Sequence, residues 1–117
     1  MTVWQKVQSI LDEMANTLGL RGLTLASEDG LELMSTGQVD GEWIAAMCPV
    51  LNSPSGNSLR HQLNDYKERK GVTLQVFNMV FGGQSLFLCA AGREDQMNAP
   101  EMNSFLQKIN AMLERVV

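Results

Sequence analysis

Gly22-Leu23-Thr24-Leu25-Ala26-Ser27, then Glu28-Asp29-Gly30, then Leu31-Glu32-Leu33-Met34-Ser35: this stretch sets the fold class. Both flanks alternate or run apolar over five or six residues. Asp29-Gly30 between them supplies the positive φ of a tight turn. The pattern predicts a β-hairpin, with Gly37 ending its second strand.

On the N-terminal side, Val3, Trp4, Val7, Ile10, Leu11, Met14 and Leu18 recur at three- and four-residue spacing, which predicts an amphipathic helix over Thr2–Leu18. Thr2 with Gln5 three residues on fits a capping box, and Gly19 is placed to stop the helix. On the C-terminal side, Asp40-Gly41-Glu42 starts a second helix, with Asp40 as cap and Glu42 favourable to the dipole. Its body, Trp43-Ile44-Ala45-Ala46-Met47-Cys48-Pro49-Val50-Leu51, is apolar all round. A helix with no polar face is usually covered on both sides, by its own domain and by something else. Pro49 inside it removes a hydrogen bond, at about 3 kcal/mol unless a kink is tolerated.

Asn52–Asn57 reads as a loop. Ser58–Lys70 fits two patterns. Leu59, Leu63 and Tyr66 suit a helix face, which the spacing slightly favours, whereas period two gives a half-polar strand through Leu59, His61, Leu63 and Asp65. Val72–Phe81 alternates as a half-buried strand. After Gly82-Gly83, Ser85–Ala91 is almost continuously apolar, as expected at a sheet centre covered on both faces. The two make a second hairpin. Gly92–Gln96 is a polar connection. Asn98, Pro100 and Glu101 then open a helix whose stripe is Met102, Phe105, Leu106, Ile109, Met112, Leu113 and Val116.

Two hairpins flanked by helices predict an α+β layered domain: an antiparallel sheet, terminal helices on one face and the middle helix on the other. A middle helix of about ten residues cannot cover such a sheet, so apolar area is left for a partner.

The whole of 1–117 is expected to be one domain. Hydrophobic residues make up 44% and charged ones 19%, which is ordinary for a globular chain. The net charge of -4 argues against nucleic-acid binding. No apolar run approaches a membrane span, and the polar start Met1–Lys6 lacks the middle of a secretory leader, so a cytoplasmic protein is expected. Cys48 and Cys89, the two cysteines, are expected to be buried free thiols rather than a disulfide.

Catalytic equipment is not found. There is no phosphate-cradling Gly-Lys-Ser/Thr loop and no nucleophile elbow around Ser35, Ser53, Ser55 or Ser58. His61 has no evident nucleophile to serve, and a lone histidine with two dispersed cysteines does not make a metal site. Glu28-Asp29 and Glu94-Asp95 sit in turns. Arg60, Lys67, Arg69 and Lys70 form a small basic cluster, read as a solvated turn or as a dock for an acidic partner. No enzyme, cofactor or metal is expected. Among eight methionines, Met47 stands apart, because thioethers suit surfaces that repack against a partner as well as cores.

The hairpin motif Gly22-Leu23-Thr24-Leu25-Ala26-Ser27-Glu28-Asp29-Gly30-Leu31 resembles the glycine, apolar strand, Ser-x-Asp-Gly-apolar hairpin of the roadblock (dynein light chain) family, in particular its bacterial small-GTPase regulators. Gly22, Ser27, Asp29 and Gly30 carry it. Ala45-Ala46-Met47 is similar to that family's alanine-rich middle helix, and Gly82-Gly83 with the following strand to its last hairpin. The similarity spans roughly Val7–Val116. Pro49 and Pro54 depart from the long, regular middle helix of many members.

The resemblance implies α-ββ-α-βββ-α with a five-stranded sheet, in which Ser58–Lys67 is the third strand. It also implies a homodimer, or a dimer with a paralogue, whose sheets join through that strand and whose middle helices meet. Trp43, Ile44, Met47, Val50, Leu51, Leu59, His61 and Leu63 would form the interface. The implied role is a non-enzymatic regulator or scaffold of a small Ras-like GTPase. The alternatives are a dimeric adaptor without GTPase contact and a small-ligand sensor, since layered α+β sheets can enclose pockets.

Overall fold

The computed structural model describes residues 2–51, 71–81, 84–97 and 100–114. Within them lie α1 (Val3–Leu18), β1 (Gly22–Ser27), β2 (Glu32–Gly37), α2 (Gly41–Leu51), β3 (Thr73–Phe81), β4 (Gln84–Gly92), α3 (Glu94–Met97) and α4 (Pro100–Glu114).

Local chemistry sets the first boundaries. The Thr2 hydroxyl accepts from Gln5 N–H at 3.2 Å and the Gln5 side chain accepts from Thr2 N–H at 2.9 Å, so the capping box forms in both directions. Gly19 ends α1 in the left-handed conformation. In the first hairpin, Ser27 closes the turn: its Oγ accepts from Leu31 N–H at 3.2 Å and its carbonyl from Gly30 N–H at 3.0 Å. Gly30 sits at φ +85°, where a side chain would be strained.

The described strands form one antiparallel sheet in the order β2-β1-β4-β3. β3 and β4 pair from Thr73↔Gly92 to Phe81↔Gln84, the second hairpin of the sequence pattern. β1 and β4 occupy the centre and are buried along nearly their whole length. Their alternation separates two cores. Leu23, Leu25, Leu86, Leu88 and Ala90 meet Val7, Leu11 and Met14 of α1 and Met102, Phe105 and Ile109 of α4. On the opposite face, Ala26, Phe87 and Cys89 meet Ile44, Ala45 and Cys48 of α2. Terminal helices thus cover one face and the middle helix the other.

Three details differ from the sequence expectation. β2 carries a bulge: Leu25 pairs with Met34 but Ala26 pairs with Glu32, so Leu33 is an extra residue and is 45% exposed. Trp4, counted in the α1 stripe, is 39% exposed because the buried row runs through Val7, Leu11, Met14 and Ala15 instead. The connection after β4 contains the helical turn α3. Gln96 in that turn accepts from Arg93 N–H and donates to the Gly19 carbonyl at 2.9 Å, tying it to the end of α1. Four strands lie within the described residues, and the third strand that the resemblance implies, Ser58–Lys67, does not. Ser58–Lys70, where helix and strand patterns compete and the basic cluster falls, lies outside the described residues, as do Gly82-Gly83 and Asn98.

Gly22 is a position of close approach. A Cβ there would lie 2.5 Å from the Thr36 carbonyl oxygen and 2.7 Å from a Val39 methyl. Gly22→Ala is therefore expected to destabilise the fold by about 2 kcal/mol through overpacking, read as a lower urea midpoint with an unchanged slope. Wild-type stability in this variant would show that β1 and β2 can separate there without cost.

Candidate functional site

Interest centres on α2, the one long described helix on its face of the sheet. Asp40 caps it: its carboxylate accepts from Trp43 N–H at 3.2 Å and its carbonyl from Ile44 N–H at 3.0 Å. The first turn rests on a polar seat. Glu32 and Ser35 of β2 fill the space where a side chain on Gly41 would point, the Glu32 carboxylate only 1.5 Å from an added Cβ. Ser35 Oγ donates to Glu32 at 2.9 Å and lies 3.0 Å from the Thr24 hydroxyl. Thr24 is the only buried polar side chain among the described residues, so this short chain of hydroxyls satisfies a group that is costly to leave alone. At the other end of α2, the hairpin turn abuts the helix: a Cβ on Gly30 would meet the Ala45 carbonyl at 3.3 Å and Pro49 Cγ at 3.4 Å.

The helix runs through Pro49 to Leu51. Pro49 has no N–H to donate to the Ala45 carbonyl four residues back, so α2 runs through it one internal hydrogen bond short. Ile44, Ala45 and Cys48 point into the sheet, and Ile44 at 1% exposure is fully engaged in the chain's own core. Trp43 packs half-buried at the edge of that core, while Glu42 and Ala46 are exposed. Met47 is 5% exposed. Val50 and Leu51 belong to the last turn of α2; Leu59, His61 and Leu63 fall outside the described residues. Of the hairpin residues, Gly22 and Ser27 lie in β1, and Asp29 is exposed in the turn before Gly30.

The face also holds a contact that sequence alone does not bring together. Cys48 of α2 and Cys89 of β4 are neighbours in one buried cluster between the helix and the sheet. Cys48 Sγ is also 3.3 Å from the Ile44 carbonyl. The Cys89 thiol beside it holds Cys48 below the ordinary thiol value, against the opposing effect of burial. Cys89 is pushed well above it by the neighbouring Cys48 thiol, then by burial and by the charge Cys48 would carry. The two thiols are therefore unequal, with Cys48 the first to ionise.

Among the described residues there is no group of three or more histidine, cysteine or carboxylate side chains placed for a metal, and no helix long and apolar enough to cross a membrane. The described residues line two open grooves. One of about 430 Å³ lies between β3 and α4, beside Phe77, Met79, Asn103 and Leu106. The other, of about 630 Å³, lies by Gly19, Arg21, Gln38 and Arg93.

With α1 and α4 on one face of an antiparallel sheet and α2 on the other, the architecture is the layered α+β fold that the sequence pattern predicts. Solved structures of MglB share it. Myxococcus xanthus MglB superposes with a TM-score of 0.56 at 11% identity, over 95% of this chain and 94% of that one. The gliding protein MglB from Thermus thermophilus gives 0.56 at 12%, over 99% and 91%. An MglB with a tetrameric arrangement gives 0.57 at 12%, over 100% and 94%. No protein-family model and no curated protein matches the sequence. The likeness is thus one of fold, and it extends from end to end.

The polar seat yields a test. Ser35→Ala strands the buried Thr24 hydroxyl and is expected to cost about 1–2 kcal/mol in urea denaturation. Adding Thr24→Val removes the stranded group and should recover part of that loss. Full additivity of the two substitutions would show that the hydroxyls do not support one another.

Proposed function

We propose that this chain is a non-enzymatic, dimeric regulatory platform of the cytoplasm whose partner is a small Ras-like GTPase. The observation that carries the reading is the end-to-end likeness in fold to MglB, joined to the roadblock-like hairpin motif. A protein of this kind acts by differential affinity. A rigid surface that binds one conformation of a GTPase switch better than the other shifts the population toward it, with no catalytic group of its own.

In this proposal the second copy of the chain covers α2 from outside. Trp43, Met47, Val50 and Leu51 supply the helix contact, and Leu59, His61 and Leu63 supply a fifth strand that pairs with its twin. Ile44 seats the helix rather than meeting the partner. Ala46, exposed between Trp43 and Val50, lies at the centre of the helix face concerned. The reason to expect a partner here is compositional: the helix presents only Glu42 as a charged residue over Gly41–Leu51, so water faces little that it can solvate well.

Sedimentation should give about twice 12.9 kDa. Ala46→Arg keeps a good helix former at an exposed position while placing a charge in the contact. It is expected to shift the species to the single-chain mass with cooperative unfolding retained; an unchanged dimer would remove α2 from the interface. For the partner, the dimer added to a cognate Ras-like GTPase should alter its nucleotide-hydrolysis or exchange rate at least several-fold. Neither binding nor a rate change with any candidate GTPase would leave an adaptor role as the better reading.

A further inference from the structure

Cys48 and Cys89 play no part in the proposed dimer contact, which concerns the outward side of α2. Both are fully enclosed, at 0% and 1% exposure, in the cluster with Ala26, Ile44, Ala45 and Phe87. They come from different layers, α2 and the central strand β4, and 41 positions separate them along the chain. The chain has no other cysteine. We propose that they form a reversible disulfide site, which when oxidised pins α2 covalently to the sheet.

Three observations carry this. The two cysteines belong to one buried cluster at the α2–β4 interface, so a bond between them would link elements that already pack together. Their surroundings are apolar, and a disulfide, having no S–H to satisfy, suits such a site better than two thiols do. Cys48 also lies in the last turns of α2, next to Pro49, which contributes no N–H to hold the helix end. Local opening at that end is therefore the natural route for a reagent to a sulfur otherwise shielded from solvent.

The oxidant is a small-molecule disulfide, RS–SR. Cys48 loses its proton and the thiolate attacks one sulfur of the reagent, forming Cys48–S–SR and releasing RS⁻. Cys89 then loses its proton and attacks the Cys48 sulfur, forming the Cys48–Cys89 bond and releasing the second RS⁻. Both leaving thiolates take up the two protons lost. Two protein thiols are oxidised and one reagent disulfide is reduced. The order follows from the unequal thiols: Cys48, lowered by its partner, is the attacker, and Cys89 resolves the mixed disulfide.

The test exposes the folded wild-type chain to oxidised glutathione, quenches with acid, alkylates in denaturant and weighs the intact protein. The expected product carries no alkyl group, weighs two hydrogens less than the reduced chain, and runs as a single chain on a non-reducing gel. Dithiothreitol should return it to the doubly alkylated form. Cys89→Ala should accumulate the glutathione adduct on Cys48, whereas Cys48→Ala should leave Cys89 unmodified. Three results overturn the proposal: two free thiols persisting while the urea-unfolded chain oxidises, a stable glutathione adduct on the wild type, or a disulfide between chains. The readout is covalent mass on wild-type protein, so it stands or falls separately from the GTPase and dimer readings.

Discussion

β1 and β4 are buried on both faces, and most of the molecule follows from the need to keep them so. Leu23, Leu25, Leu86 and Leu88 point one way; Ala26, Phe87 and Cys89 point the other. A sheet with two apolar faces must find a layer for each. Among the described residues, one face receives two helices of 16 and 15 residues, whereas the other receives an α2 of 11. The side chains match this imbalance. Leucines fill the side with two helices, while alanine and cysteine dominate the α2 side and let a single short helix come close. Close packing on that side makes up in fit for what it lacks in area.

Such a close approach needs room at the helix ends. Gly41 supplies it at the N-terminus, where Glu32 and Ser35 occupy the volume a side chain would take. Gly30 supplies it near the C-terminus, where the hairpin turn lies against Ala45 and Pro49. The same hairpin thus forms the sheet edge and grips the helix at both ends. That gives the Ser-x-Asp-Gly turn a tertiary role beyond reversing the chain: its glycine meets the φ demand and the contact demand at once.

The parts legible in the sequence are those that neighbours along the chain decide. The Thr2–Gln5 capping box, the Gly19 stop, both hairpins, the Asp40 cap and the two-faced character of Ser85–Ala91 all follow from spacing within a few residues. The two-layer division could be inferred because alternation assigns each strand residue to a face. What escaped depends on contacts distant in sequence. The Leu33 bulge answers to the pairing of Ala26 with Glu32, and the Gln96 tether reaches across 77 positions to Gly19. The outward slant of Trp4 depends on which side of α1 meets the sheet. The Cys48–Cys89 contact left a trace, since each cysteine falls on an apolar run destined for the same interface. Only the topology, which lays α2 over β4, turns two such cysteines into a pair.

α2 is therefore a helix with two obligations. Its inner row of Ile44, Ala45 and Cys48 is fixed by the sheet, and its outer row around Ala46 is what a partner would meet. Eleven residues make only about three turns, too short for one side to move independently of the other. Any change in the seating of the inner row, whether through the hydroxyl chain beneath Gly41 or through the thiols near Pro49, is carried to the outer row as a change in position or in freedom. Coupling of this kind is reciprocal. A partner that held the outer row still would therefore bear on how the inner row is seated against the sheet, even though neither thiol belongs to the outer face.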